Sequence, residues 1–127
     1  MKQTAKETGN RGESVAVSYL RRRGYRILER NYRAGHHEID IIARRWKTIL
    51  FVEVKARTYK SDEIETAPPP GIAVRKDKKQ FTRQAAKQYL FEHYTTHQPR
   101  MDVIEVWFVL KNEKQRIHKI RHIKGAY

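Results

Sequence analysis

The chain has 127 residues, enough to close one hydrophobic core and too few for two. Lys and Arg number 28 against 14 Asp and Glu, a formal charge of +14 that points to a polyanionic partner, nucleic acid ahead of anionic membrane. No cysteine is present, which excludes disulfides, thiolate zinc sites and thiol chemistry, and no apolar run is long enough for a spanning helix.

In chain order, the first nine residues read as polar and frayed, without the apolar run of a secretory signal, so the expected location is cytoplasmic. Residues 12–23 carry Ala16, Tyr19 and Leu20 at helical steps, with Asn10 as the candidate N-cap and Gly24 as the stop. YRILERNYR, from Tyr25, predicts a strand of imperfect alternation. Residues 37–43 and 49–54, rich in Ile and Val, predict two strands around a turn in RRWKT. Residues 58–75 have no period and include three consecutive prolines, the pattern of a mobile loop. A second helix is expected near Asp77, with Phe81, Ala85, Tyr89 and Leu90 as its buried stripe. Residues 102–110 predict a strand, and RIHKIRHIKG an edge strand whose charges oppose pairing with other chains. This order suits a single α/β domain over 1–127, one mixed β-sheet flanked by helices.

The two most apolar segments, HEIDIIA and FVEVKAR, contain Glu38, Asp40, Glu53 and Lys55. Strand side chains alternate faces, so Glu38 shares a face with Asp40, and Glu53 with Lys55. A two-residue turn at Trp46-Lys47 sets Asp40 beside Glu53 and Glu38 beside Lys55, with Ile39, Ile41, Val52 and Val54 on the opposite face. Opposed carboxylates repel, and burial raises their cost, unless a divalent cation lies between them. Magnesium accepts carboxylate oxygens, keeps several waters and binds phosphate, and Lys55 would supply a fixed positive charge nearby. The plainer account is an ion pair, of Glu38 with Lys55 or with a neighbouring basic residue. Glu13 lies on the helix face of Ala16 and Leu20, and is either a ligand or a first-turn acid answering the helix dipole.

Among the remaining signals, Trp46 is a candidate for base stacking and Tyr32 for a place beside the site. Tyr89, Phe81, Trp107 and Phe108 read as core. His93, His97, His118 and His122 lack a metal spacing, and Asp102 next to Arg100 reads as a structural ion pair.

NRGESVAVSYLRRRGYRILERNYR, HEIDIIA, FVEVKAR, the lysine of RKDKKQ, RMDVI and HIKGAY together resemble the YraN family, UPF0102, over nearly the whole chain. That family is similar to the restriction-endonuclease-like proteins, including Holliday-junction resolvases. The resemblance implies a metal-dependent DNA endonuclease using Mg²⁺ or Mn²⁺, acting on branched DNA and leaving a 5′-phosphate. Its signature of Asp followed by Glu-x-Lys falls on Asp40, Glu53, Val54 and Lys55, its helix glutamate on Glu13, its second-helix lysine on Lys78 and its later aspartate on Asp102. Glu13, Asp40, Glu53 and the Val54 carbonyl become the expected metal ligands, and Lys55 the group that stabilises charge on phosphate. His37 replaces a glycine usual in the family. Arg11, Arg30, Arg33, Arg57, Lys76, Lys78 and Lys79 flank the elements carrying these residues and are the candidates for DNA phosphate contact. A symmetric homodimer would suit cutting two strands. The alternatives are a non-catalytic nucleic-acid-binding module and an adaptor docking to a repair partner through the proline-rich loop.

Overall fold

A computed structural model describes residues 4–70 and 76–127, and of residues 76–78 the backbone alone. Helix α1 spans Ala5–Arg22, capped by Thr4, whose Oγ1 accepts from the Glu7 N–H at 3.1 Å. The helix therefore starts well before the expected boundary, and Asn10 lies inside it. Gly9 and the polar residues around it hid this extension, because glycine lowers helix propensity and the segment has no apolar period. Gly12 has a packing reason to be there: a Cβ at that position would collide with the Cβ of Ala56. Gly24, at φ +85°, ends the helical segment in the left-handed conformation that glycine adopts without strain.

Five strands follow: β1 (Arg26–Ala34), β2 (His37–Arg45), β3 (Thr48–Lys60), β4 (Gln98–Lys111) and β5 (Lys114–Ile123), with α2 (Lys76–Glu92) between β3 and β4. They form one sheet in the order β1-β2-β3-β4-β5. The β3–β4 pair, bridged by α2, is parallel, and the other pairs are antiparallel. A mixed sheet with a helix packed on each face is the restriction-endonuclease-like arrangement that the sequence resemblance implies.

Side-chain alternation divides the core. Ile41, Ala43, Leu50, Val52, Ile104, Val106 and Phe108 pack with Ala16, Val17 and Leu20 of α1. Ile42, Ile49 and Phe51 pack with Ala85, Ala86 and Tyr89 of α2 on the other face. The imperfect alternation of β1 comes from a register shift between Ile27 and Glu29. Strand β3 runs through Lys60, so residues 58–60 are strand rather than loop. Beyond them Ile64 is buried with Tyr59 and Trp107, and the Tyr59 hydroxyl donates to the Pro68 carbonyl at 2.6 Å. The rest of the expected loop, 71–75, lies outside the described residues.

Phe81 departs from the expected core stripe. It is 43 % exposed, and its ring stacks on His37 at 4.5 Å between centroids. Tyr32 is buried with Ile39 and Tyr89 instead of flanking a site. Burial and its hydrogen bond to Glu92 push its phenol up to about 12. Trp107 and Phe108 are buried as expected, and β5 is an edge strand.

Candidate active site

The β2–β3 hairpin turns at Trp46-Lys47 in the expected register, with Arg45 opposite Thr48 and Ile41 opposite Val52. Recorded pairing stops there, one step short of Asp40 and Glu53. Beyond it, Asp40 Oδ2 accepts the Val54 N–H at 2.8 Å. A main-chain donor leaving a ladder needs another acceptor, and the aspartate side chain supplies one.

The β1–β2 ladder is disturbed at the same level. Arg30 pairs with Ile41 and Tyr32 with Ile39, but the intervening Asn31 is left-handed, at φ 53°. Asn is among the few residues that tolerate this conformation. The alternation slips here, so Ile39 packs with Ile42 on the α2 face while Ile41 packs against α1. The expectation that Ile39 shares a face with Ile41 is therefore corrected: the two side chains enter opposite clusters, at the level where Asn31 of the neighbouring strand is left-handed.

Asn31 is the residue that sequence reasoning missed. With its amide oriented by the hydrogen-bond network, Nδ2 donates to Glu13 Oε1 at 2.8 Å and to Glu38 Oε1 at 3.0 Å. One neutral amide thus bridges a helix carboxylate and a strand carboxylate. The available signal was a polar, turn-forming residue inside an otherwise regular strand segment.

Glu13 stands near the middle of α1, and the acid of the first turn is Glu7. The dipole account of Glu13 therefore fails, since that effect fades within one turn. Burial and then the charge of Glu38 push the Glu13 carboxyl above its usual range, against a lowering influence from Arg30. Glu38 pairs with Arg33 at 3.6 Å, so its basic partner is this cross-strand neighbour and not Lys55.

Glu53 is only 4 % exposed, and its Oε1 lies 3.1 Å from Lys55 Nζ. The two share the strand face that alternation predicts. The structure thus brings Glu13 toward Glu38, Asp40 to the Val54 main chain, and Glu53 to Lys55. Among the described residues, no three His, Asp or Glu side chains gather in an arrangement that could hold a metal ion. Their oxygens are hard donors, of the kind Mg²⁺ or Mn²⁺ takes rather than a soft metal, but they are held in separate contacts.

Of the basic candidates, Arg30 approaches Ser14 at 3.5 Å, Arg33 holds Glu38, Arg57 lies over Tyr59 and Lys79 over the Tyr127 ring. Arg11 is on the opposite flank of α1, donating to Gln115 of β5. The side chains of Lys76 and Lys78 lie outside the described residues. Trp46 is 86 % exposed.

Asp102 is fully buried in a structural network. Arg100 donates to both its oxygens at 2.8 and 2.9 Å, His122 Nε2 lies at 2.6 Å, and the Gly125 N–H donates at 3.0 Å. Burial alone would raise its carboxyl, but the hydrogen bonds from His122, Arg100 and Gly125 outweigh it and hold the group below the usual range. The ion pair read from sequence is present, and the network extends it to the C-terminal segment.

A mixed five-stranded sheet with a helix packed on each face defines an α/β protein of restriction-endonuclease-like architecture. The chain belongs to the family described as uncharacterised protein family UPF0102, also called YraN, whose profile matches residues 12–106. It is 39 % identical over 129 residues to a UPF0102 protein of Caldanaerobacter subterraneus subsp. tengcongensis, covering 100 % of both chains. It is 41 % identical to one from Geobacter metallireducens, covering 96 % of this chain and 93 % of that one. A Syntrophus aciditrophicus relative is 44 % identical, with 90 % and 85 % covered. No described helix is long and apolar enough to cross a membrane.

Proposed function

We propose that this protein is a metal-dependent endonuclease that hydrolyses DNA phosphodiester bonds, with branched DNA as its substrate class. The observation that carries the reading is the Asp40 carboxylate on the Val54 N–H, where the β2–β3 ladder ends beside the buried Glu53 and its partner Lys55. Acid, main-chain carbonyl and ammonium at the adjoining β3 positions 53, 54 and 55 support the reading.

Asp40, Glu53 and the Val54 carbonyl would hold Mg²⁺ or Mn²⁺, with Glu13 supporting it from α1. Such an ion, when bound, lowers the pKa of an attacking water and offsets charge on phosphate oxygens. The Val54 N–H fixes the Asp40 carboxylate, restricting it to one orientation. Asn31 steadies Glu13 without neutralising it. Lys55, released from Glu53 as phosphate arrives, stabilises the charge gathering on the phosphoryl oxygens. Arg30, Arg33, Arg57 and Lys79, with Lys76 and Lys78, hold the flanking backbone, and Trp46 stacks on an exposed base. Phosphate recognition of this kind weakens steeply with salt. Two copies acting together would cut paired strands.

The Glu53–Lys55 ion pair also suits a binding module without turnover, since a lysine already answers the buried carboxylate. Cleavage of duplex, flap and four-way DNA with Mg²⁺ or Mn²⁺ separates the readings. Asp40→Asn should retain DNA binding and lose cleavage by about 10²–10³-fold, the scale of removing one charge-stabilising group. Equal cleavage by wild type and Asp40→Asn at matched binding removes Asp40 from the chemistry; binding with no cleavage of any substrate selects the module.

A further inference from the structure

A groove of about 560 Å³ lies between α1 and the edge strand β5, lined by Arg11, Ser14, Tyr19, Arg22, Arg23 and Ile117, among others. On α1 the lining recurs at helical steps, so one face of the helix forms a continuous wall. The groove is on the flank of α1 away from Glu13, which reaches β1 through Asn31 while Arg11 reaches β5 through Gln115.

Its chemistry is a cationic rim over an apolar floor. Arg11 Nη1 donates to the Gln115 carbonyl at 3.1 Å and to its Oε1 at 2.6 Å, and the guanidinium lies over Phe108. It is held in place before any ligand arrives. Among the described residues, no carboxylate forms an ion pair with Arg11, Arg22 or Arg23. Arg22 also answers the dipole at the end of α1, but Arg11, mid-helix, has no such reason to be basic. Val15 and Ile120 continue the floor, and Ile117 is 49 % exposed.

A nucleic-acid strand fits this surface poorly. Tyr19 is the groove's aromatic residue, and it is already engaged: Arg23 lies over the ring at 4.5 Å and the hydroxyl is 3.2 Å from His122. Base stacking has no open platform there, and a phosphate backbone would leave the aliphatic floor uncovered. Carboxylates spaced around an aliphatic side chain satisfy both parts, with arginine offering bidentate hydrogen bonds to carboxylate.

We infer that the α1–β5 groove binds an extended acidic peptide segment of a partner protein, its carboxylates on Arg11, Arg22 and Arg23 and an aliphatic side chain on Val15, Ile117 and Ile120. From Arg11 to Arg22 the helix advances about 16 Å, at ~1.5 Å per residue. At ~3.3 Å per residue an extended peptide covers this in about five residues. The inference is independent of the nuclease reading, because none of these groups belongs to the Asp40–Glu53 site.

The test is fluorescence anisotropy of the full chain with a labelled peptide, about six residues long, of aspartates interspersed with leucines. Oligo-aspartate of the same length and oligothymidylate serve as comparison probes. The leucine-bearing peptide should bind about tenfold more tightly than either, one apolar anchor contributing on that scale. The double variant Arg22→Glu with Arg23→Glu should weaken it by about tenfold or more. Ile117→Asp should do the same, with Ile117→Thr as the variant that preserves strand propensity and weakens binding less. Asp40→Asn should bind the peptide as wild type does, so loss of cleavage and loss of peptide binding are separable. Absence of peptide binding, equal affinity for oligo-aspartate or oligothymidylate, or indifference to Ile117→Asp would each overturn the assignment.

Discussion

Two groups of acids sit under different rules, one within the sheet and one where α1 meets it. At the β4–β5 end, Asp102 is enclosed by Arg100, His122 and the Gly125 N–H, while Glu105, also buried, accepts from Arg121 Nε at 2.5 Å. At the β1–β3 end, Glu38 and Glu53 also meet cations, Arg33 at 3.6 Å and Lys55 at 3.1 Å, while Glu13 of α1 shares a neutral amide with Glu38 and Asp40 accepts a main-chain N–H. The first group is compensated by cations or a histidine, and Asp102 is held below its usual range. In the second, Glu13 is held above. Burial of an acid therefore says little about its role. The partners an acid meets, more than its burial, set whether its carboxyl is held below or above the usual range.

The largest effect that tests this contrast is expected at Asp102. Asp102→Asn leaves Arg100 without its buried counter-ion and should cost about 3–5 kcal/mol, read by urea or thermal unfolding. The sign with pH follows from the lowered carboxyl. Its stabilisation is complete above the unfolded value near ~3.9 and is lost as pH falls through the lower folded value. The variant's stability should therefore depend less on pH in that acid window, and an unchanged acid limb would contradict the bracing role.

A smaller effect is expected at Gly12. An added Cβ meets the Ala56 Cβ, which cannot swing away as the tip of a flexible side chain could. Overpacking of about 1–3 kcal/mol competes with about 1 kcal/mol gained in helix propensity. Gly12→Ala should be mildly destabilised yet lose more cleavage than stability, because displacing α1 displaces the adjacent Glu13. Ala56→Gly in the same chain should restore both, and failure of that rescue would detach the helix position from the site.

The smallest stability effect is expected at Glu13 itself. Its folded carboxyl binds a proton more tightly than the unfolded one near ~4.3, so ionisation on raising pH through that interval opposes folding. Glu13→Gln should leave neutral-pH stability unchanged or higher, within about 0.5 kcal/mol, while cleavage falls. A clear loss of stability would return Glu13 to the bracing group.

Much of the fold was legible because its signals are local. The Ile- and Val-rich runs of β2 and β3, the turn at Trp46-Lys47, the basic edge strand and the face shared by Glu53 and Lys55 follow from strand period and turn chemistry. The start of α1 was not legible, because its polar first turns, with Gly9 among them, carry no apolar period. Phe81 looked like core from helical spacing alone, and only its stack on His37 gives it another position.

By itself the sequence determined the element order, the hairpin register, the cationic excess and the acids within apolar strands, all set by neighbours along the chain. The tertiary structure decided which acid meets which partner. It brought Asn31 between Glu13 and Glu38, gave Asp40 to the Val54 N–H, and closed Asp102 around residues from β5 and beyond. Those choices depend on where strands part and how closely a helix approaches, and such distances between remote segments have no local signal in a sequence.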